Sequence, residues 1–149
     1  MVRSMVGKRP EYFEATLQLR EVSPEVEKYV RSELSRTRIH IARDKKVING
    51  RDFDLSDSDF TKNLGKRLQE QFGGEYIVSP KLFSHKDGKN IYRLTVLFRG
   101  LPCKKGDIIS YRGDEYLVLL INKEIRLEHT VTHQKIHLKQ KDFHYIKKL

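Results

Sequence analysis

The sequence predicts an α+β protein: a ferredoxin-like β-α-β-β-α-β-β sandwich over residues 11–100, then a small SH3-like β-barrel over 101–149, with 1–10 as a flexible lead-in. Three observations carry that reading. Residues 11–20, EYFEATLQLR, alternate with the period of a strand: Phe13, Ala15, Leu17 and Leu19 share one face, and Tyr12, Glu14, Thr16, Gln18 and Arg20 the other. Two later stretches, 23–34 and 56–72, repeat their apolar residues at helical spacing, with strand-like runs between and after them. Beyond Leu101-Pro102 the chain turns to short alternating runs broken by turn residues.

The first strand has an apolar face for the core. Its polar row falls on the face without helices, where Glu14 is expected to pair with a cross-strand Arg or Lys. In SPEVEKYVRSEL, Ser23 suits an N-cap, Pro24 the first helical position, and Glu25 and Glu27 the positive end of the helix dipole. Val26, Tyr29, Val30 and Leu34 form one apolar stripe. TRIHIAR, 37–43, alternates again, 44–50 reads as a turn region closing on Asn49-Gly50, and 51–56 is a short strand with Phe53 and Leu55 inward. Ser56 or Asp57 caps the second helix. Phe60, Leu64, Leu68 and Phe72 recur every four residues, and Gly73-Gly74 ends it. EYIVSPKLFSHK and KNIYRLTVLFR form a hairpin around Asp87-Gly88, with Pro80 marking an edge or a bulge. The barrel strands are GDIISY, DEYLVLLI, EIRLEHTV, KIHLK and DFHYI.

No apolar run reaches the length of a membrane span, and MVRSMVGKRP lacks the apolar middle of a secretion signal. One cysteine, Cys103, excludes an internal disulfide framework and a Cys-rich zinc site. A cytoplasmic protein without membrane contact is expected. The net charge is +10, and ten Lys and Arg against six Asp and Glu in 101–149 make the excess densest there without forming a basic tail. Charge of this kind on folded surface favours an anionic partner, above all nucleic acid.

Signatures of enzymes are missing: no Walker loop, no dinucleotide fingerprint, no H-E-x-x-H, no C-x-x-C. No enzyme activity, cofactor, metal or small-molecule substrate is expected. His129, His133, His137 and His144 lie late, but on strands a four-residue spacing spans about 13 Å, too far for one ion. Cys103 reads as structural. Asp52, Asp54, Asp57 and Asp59 resemble a carboxylate cluster, two of them explained by helix capping.

The basic residues are more organised. Lys81, His85, Lys86, Lys89, Arg93 and Arg99 line the hairpin, Arg38, Lys45 and Lys46 flank the strand before Gly50, and Lys104, Lys105, Arg112 and Lys135 sit near barrel turns. These are the candidate RNA-binding residues. Tyr12, Tyr92, His40 and His85 are interleaved with them and suit stacking on unpaired bases.

Together these segments resemble a known family. YFEATLQLR at 12–20 is similar to the Y-[YF]-E-A-x-[LIV]-Q-[LIV]-R segment of the large-ribosomal-subunit export adapters, historically called nonsense-mediated decay protein three. GRDFDLSDSDFTKNLGKRL resembles the family's G-x-D-[FY] strand and following helix, and VSPKLFSHKDGKNIYRLTVLFRG its S-x-K-L … Y-R-x-T-V-x-[FV]-R stretch. LPCKKGDIISY and LLINKEIRLEHTVTHQKI resemble the lead-in and strands of its SH3-like domain. Family members carry a zinc-binding region before this segment, and many an OB domain after it. The chain shows neither, so an excised central portion or a naturally short archaeal relative is expected. The resemblance implies a non-enzymatic factor in late assembly or quality control of the large ribosomal subunit. It would contact rRNA and ribosomal proteins on the joining face, with an assembly GTPase as a further partner. The competing reading is a protein-interaction module that recruits a partner through its SH3-like barrel.

Overall fold

The computed structural model describes residues 2–149, leaving out the side chains of Lys86, Lys89 and Asn90. Its first sheet has five strands: β1 (Ala15–Arg20), β2 (Ile41–Val47), β3 (Gly50–Leu55), β4 (Gly74–Lys86) and β5 (Lys89–Gly100). Two helices, α1 (Pro24–Thr37) and α2 (Ser58–Phe72), follow β1 and β3. The spatial order is β2-β3-β1-β5-β4. The one-sided burial of β1 is the alternation expected of it: Ala15, Leu17 and Leu19 are wholly buried. With Phe53, Leu55, Val96 and Phe98 they meet Val26, Val30 and Leu34 of α1 and Leu64 and Leu68 of α2.

The helices begin and end where local chemistry directs. Ser23 is extended ahead of Pro24, and α1 ends at Arg38 in the left-handed region, its N–H bonding to the Ser35 carbonyl. Asp57 caps α2, its side chain accepting from the Phe60 N–H. Gly65 sets how closely α2 approaches the sheet: a Cβ there would lie 2.6 Å from Val96 Cγ1 and 2.8 Å from the Tyr76 ring.

The second sheet runs β10-β6-β7-β8-β9, all antiparallel, from β6 (Ile108–Tyr111), β7 (Asp114–Ile121), β8 (Ile125–His129), β9 (Lys135–Leu138) and β10 (Ile146–Lys148). It has its own apolar cluster around Ile109, Val118, Ile125, Leu127, Leu138, Phe143 and Ile146. The two sheets meet through Gln140. Its side-chain amide accepts from the Tyr76 N–H at 2.9 Å and donates to the Tyr76 carbonyl at 3.1 Å, as a neighbouring strand would. Gln69 donates to the same Gln140 oxygen at 2.6 Å. Gly73 belongs to this joint as well, since a Cβ there would lie 2.1 Å from Ile121 Cγ2.

Four expectations are corrected. The ferredoxin-like order implies one antiparallel sheet, but the first sheet is mixed, because β5 inserts between β1 and β4 and runs parallel to β1. Thr37 belongs to α1, and the strand after it runs on through Val47, well into the segment read as a turn. As an edge strand β2 needs no apolar alternation, so DKKV carried no strand signal. DFHYI, 142–146, expected to be a strand, falls mostly in a 3₁₀ helix, Gln140–Tyr145, whose Phe143 is buried, and the last strand begins only at Ile146. Finally, Glu14 takes no cross-strand base. It binds Arg3, accepts from the Ser58 N–H at 2.9 Å, and accepts from the Tyr12 hydroxyl at 2.5 Å. Arg3, in the segment read as a flexible lead-in, also pairs with Asp59 at 2.8 Å, while Val2 packs against the core.

Candidate nucleic-acid interface

The longest projecting feature is the β4–β5 hairpin. β1 pairs with β5 only between Leu94 and Arg99, so beyond Pro80 and Leu94 the hairpin continues as a two-stranded arm. Asp87 and Gly88, both at positive φ, turn it. A bulge at Phe83 interrupts the pairing between Leu82 and Ser84. Lys81 lies opposite Arg93, Leu82 opposite Tyr92, and Ser84 opposite Ile91. Four large apolar side chains stand exposed on the arm: Leu82 (54%), Phe83 (53%), Tyr92 (53%) and Ile91 (39%).

Arg93 does not project. Its guanidinium is stacked between the rings of Phe13, at 3.7 Å, and Phe83, at 3.5 Å, and its Nε–H donates to the Phe13 carbonyl at 3.2 Å. At roughly 0.5–2 kcal/mol for each stacked face, this sandwich engages the charge as a clamp at the arm's root rather than leaving it for a phosphate. Sequence reading missed Phe13 and Phe83 as its partners. Phe13 lies in the lead-in to β1 and is separated from Arg93 by most of the first sheet's sequence.

The sheet face without helices carries ion pairs of its own. Arg43 Nε meets Asp54 at 2.8 Å and Arg20 meets Asp52 at 2.8 Å. Thr16 gives its hydroxyl to Asp54 at 2.7 Å. The polar row of β1 is thereby largely committed inside the molecule. The four acids read as a cluster each have a basic partner or a capping role: Asp57 caps α2 and accepts the Arg3 N–H, and Asp59 pairs with Arg3. Among the described residues no group of His, Cys, Asp and Glu has the arrangement of a metal site. The late histidines are scattered. His129 Nδ1 accepts from the Val131 and Thr132 N–H groups, His133 meets Glu128 at 3.1 Å, and His137 lies 3.7 Å from Glu124. Cys103 is buried, and burial followed by the nearby Asp107 charge pushes its thiol up to about 11, far from a reactive thiolate.

The register separates the remaining candidate residues into two ends. Ile41, Leu55, Ala15 and Leu94 align at one end of the sheet, beside Arg38, Lys81 and the root of the arm. Val47, Gly50, Arg20 and Arg99 align at the other, toward Lys46, Lys104 and Lys105. Arg99 lies 3.9 Å from Glu21. Lys45 lies opposite Asp52 on the face without helices. On the second sheet, Lys135 sits opposite Glu128, and Arg112 stacks 4.0 Å over Tyr145. His85 is exposed on the arm, whereas the Lys86 and Lys89 side chains lie outside the described residues. Of the candidate stacking rings, His40 is bonded to the Pro10 carbonyl, and Tyr12 is committed to Glu14 with Lys8 over its ring. Burial and then that carboxylate push the Tyr12 phenol up to about 12. Tyr92 keeps its ring open.

Residues 12–99 match the family model described as NMD3, second domain. No curated protein matches the chain. The matched span contains both helices, the first sheet almost entirely and the whole arm.

Proposed function

Because the chain belongs to the NMD3 family, which is associated with the large ribosomal subunit and its biogenesis, we propose that it is a non-enzymatic factor that binds that subunit through rRNA. Its work is late assembly or quality control on the joining face, in the cytoplasm. The observation that carries this is the projecting arm. It brings Lys81, Lys86 and Lys89 to one end of the molecule, whereas Arg20 and Arg43 on the broad sheet face beside it are already paired with Asp52 and Asp54. Residues 101–149 are read as an SH3-like unit abutting a ferredoxin-derived one over 11–100. The strand order β10-β6-β7-β8-β9, with a 3₁₀ turn before the last strand, supports that reading.

A second reading, recruitment of a protein such as an assembly GTPase by the barrel, has one observation in its favour. Tyr111, Tyr116 and Tyr145 sit edge to face at one end of the barrel, an arrangement suited to a peptide. A salt series separates the two. Binding of the purified chain to large-subunit rRNA should weaken steeply, log K falling by several units per decade of salt. A nearly flat salt dependence, with tight binding to a single protein, would favour the barrel reading.

A further inference from the structure

We propose that the arm beyond Pro80 and Leu94 takes unpaired RNA nucleotides, with a base stacked on Tyr92 against Leu82, and that Arg93 is the positioning residue holding the arm for them. This rests on the rRNA-binding reading and names what the arm recognises.

Three features of the arm point there. The first is its exposure. Leu82 and Tyr92 face each other across the two strands, each more than half exposed, while Ile91 and Phe83 stand exposed on the arm's other face with Arg93. Two-stranded ribbons are marginal alone in water, so an arm with four large apolar side chains in solvent implies a partner that covers them. The second is its charge. Residues 80–93, PKLFSHKDGKNIYR, hold Lys81, Lys86, Lys89 and Arg93 against Asp87 alone. An exposed aromatic–aliphatic pair on an arm whose sequence is net basic suits a ligand with flat apolar faces on an anionic backbone, which describes unpaired nucleotides. Duplex RNA fits worse, because its deep major groove is too narrow for side chains to read, whereas splayed bases stack readily on aromatic rings. The third is the root. The Phe13–Arg93–Phe83 stack and the bond to the Phe13 carbonyl tie the arm to the start of β1, which aims it before any ligand arrives.

The test uses the full chain and two fluorescent probes of mixed sequence, a single-stranded oligoribonucleotide of about twelve nucleotides and its duplex. The single strand is expected to bind at least roughly tenfold more tightly at equal salt. Tyr92→Ala should weaken single-strand binding about tenfold, within the range for loss of one stacked base, and leave the salt slope unchanged because no phosphate contact is removed. Tyr92→Phe should stay within about twofold of the parent, since it keeps the ring. Arg93→Ala should weaken binding while Arg93→Lys fails to rescue it, because an ammonium cannot stack between two rings. Equal affinity for duplex and single strand would overturn the proposal. So would a Tyr92→Ala protein that binds like the parent, or preference for phosphatidylserine vesicles over RNA. Large-subunit binding unaffected by Tyr92→Ala would sink this inference and leave the ribosomal reading standing. Tyr92-dependent binding to the single strand by a chain that ignores large subunits would do the reverse.

Discussion

Single residues decide where this chain holds its charges, and Glu33 shows how. It is buried on α1, where it accepts from Arg36 Nε at 2.7 Å and from Arg67 of α2 at 2.6 Å. The Arg36 hydrogen bond, opposed by burial and aided by both guanidinium charges, holds its carboxyl below the ordinary value of 4.5. A carboxylate depressed on folding contributes stability that is fully present above its unfolded value. That contribution is lost as the pH falls through the folded one. Unfolding midpoints in urea should therefore drop more steeply below pH 4.5 in the parent than in Glu33→Gln, with the gap between the two proteins narrowing in acid. Parallel acid limbs for the two proteins would mean the Arg36 and Arg67 contacts carry no net stability. Arg93 is the reverse lesson. From the sequence it is one more cation on a basic hairpin, and only the fold reveals that Phe13 and Phe83 enclose it.

At the scale of elements, what was legible followed from local chemistry. Ser23-Pro24 and Asp57 start the helices, Gly73 ends the second, and Asp87-Gly88 turns the hairpin, each by a property of the residue itself. Two things were hidden. The polar edge strand β2 lacks apolar alternation because it buries little, so only its pairing with β3 defines it. The insertion of β5 beside β1 depends on pairing between distant segments, and no local pattern in either strand states the partner or its direction. The same limit hid the Arg3–Glu14 pair, which joins the first residues of the chain to the start of α2. The arm's basic residues were legible, and so was Tyr92 as a stacking ring, but its exposed cross-strand neighbour Leu82 was not, since Leu in a strand reads as core. For the arm, Lys86→Ala with Lys89→Ala, the pair flanking the Asp87-Gly88 turn, should shift stability by under about 0.5 kcal/mol. Large-subunit binding should weaken, and the salt slope should fall by about one unit or slightly more. An unchanged affinity and slope would move the RNA-facing surface to the second sheet and its lead-in, around Lys104, Lys105 and Lys135.

Over the whole molecule the two ends differ in kind. One carries the arm. At the other, Gln140 pairs its side-chain amide with both backbone groups of Tyr76 and joins the second sheet to the first. On the open sheet face Arg20 and Arg43 are engaged by Asp52 and Asp54, so on the proposed function the contacts with an anionic partner are assigned to the arm and the turns of the second sheet. On this account the partner is a single large assembly met at more than one place, the large ribosomal subunit. Co-sedimentation of the purified chain with isolated large and small subunits, at matched salt, tests that claim most directly. The chain should pellet saturably with large subunits and be released as salt is raised, while staying in the supernatant with small ones. Equal recovery with both subunits would reduce the account to nonspecific attraction between a basic protein and RNA, and recovery with neither would contradict it.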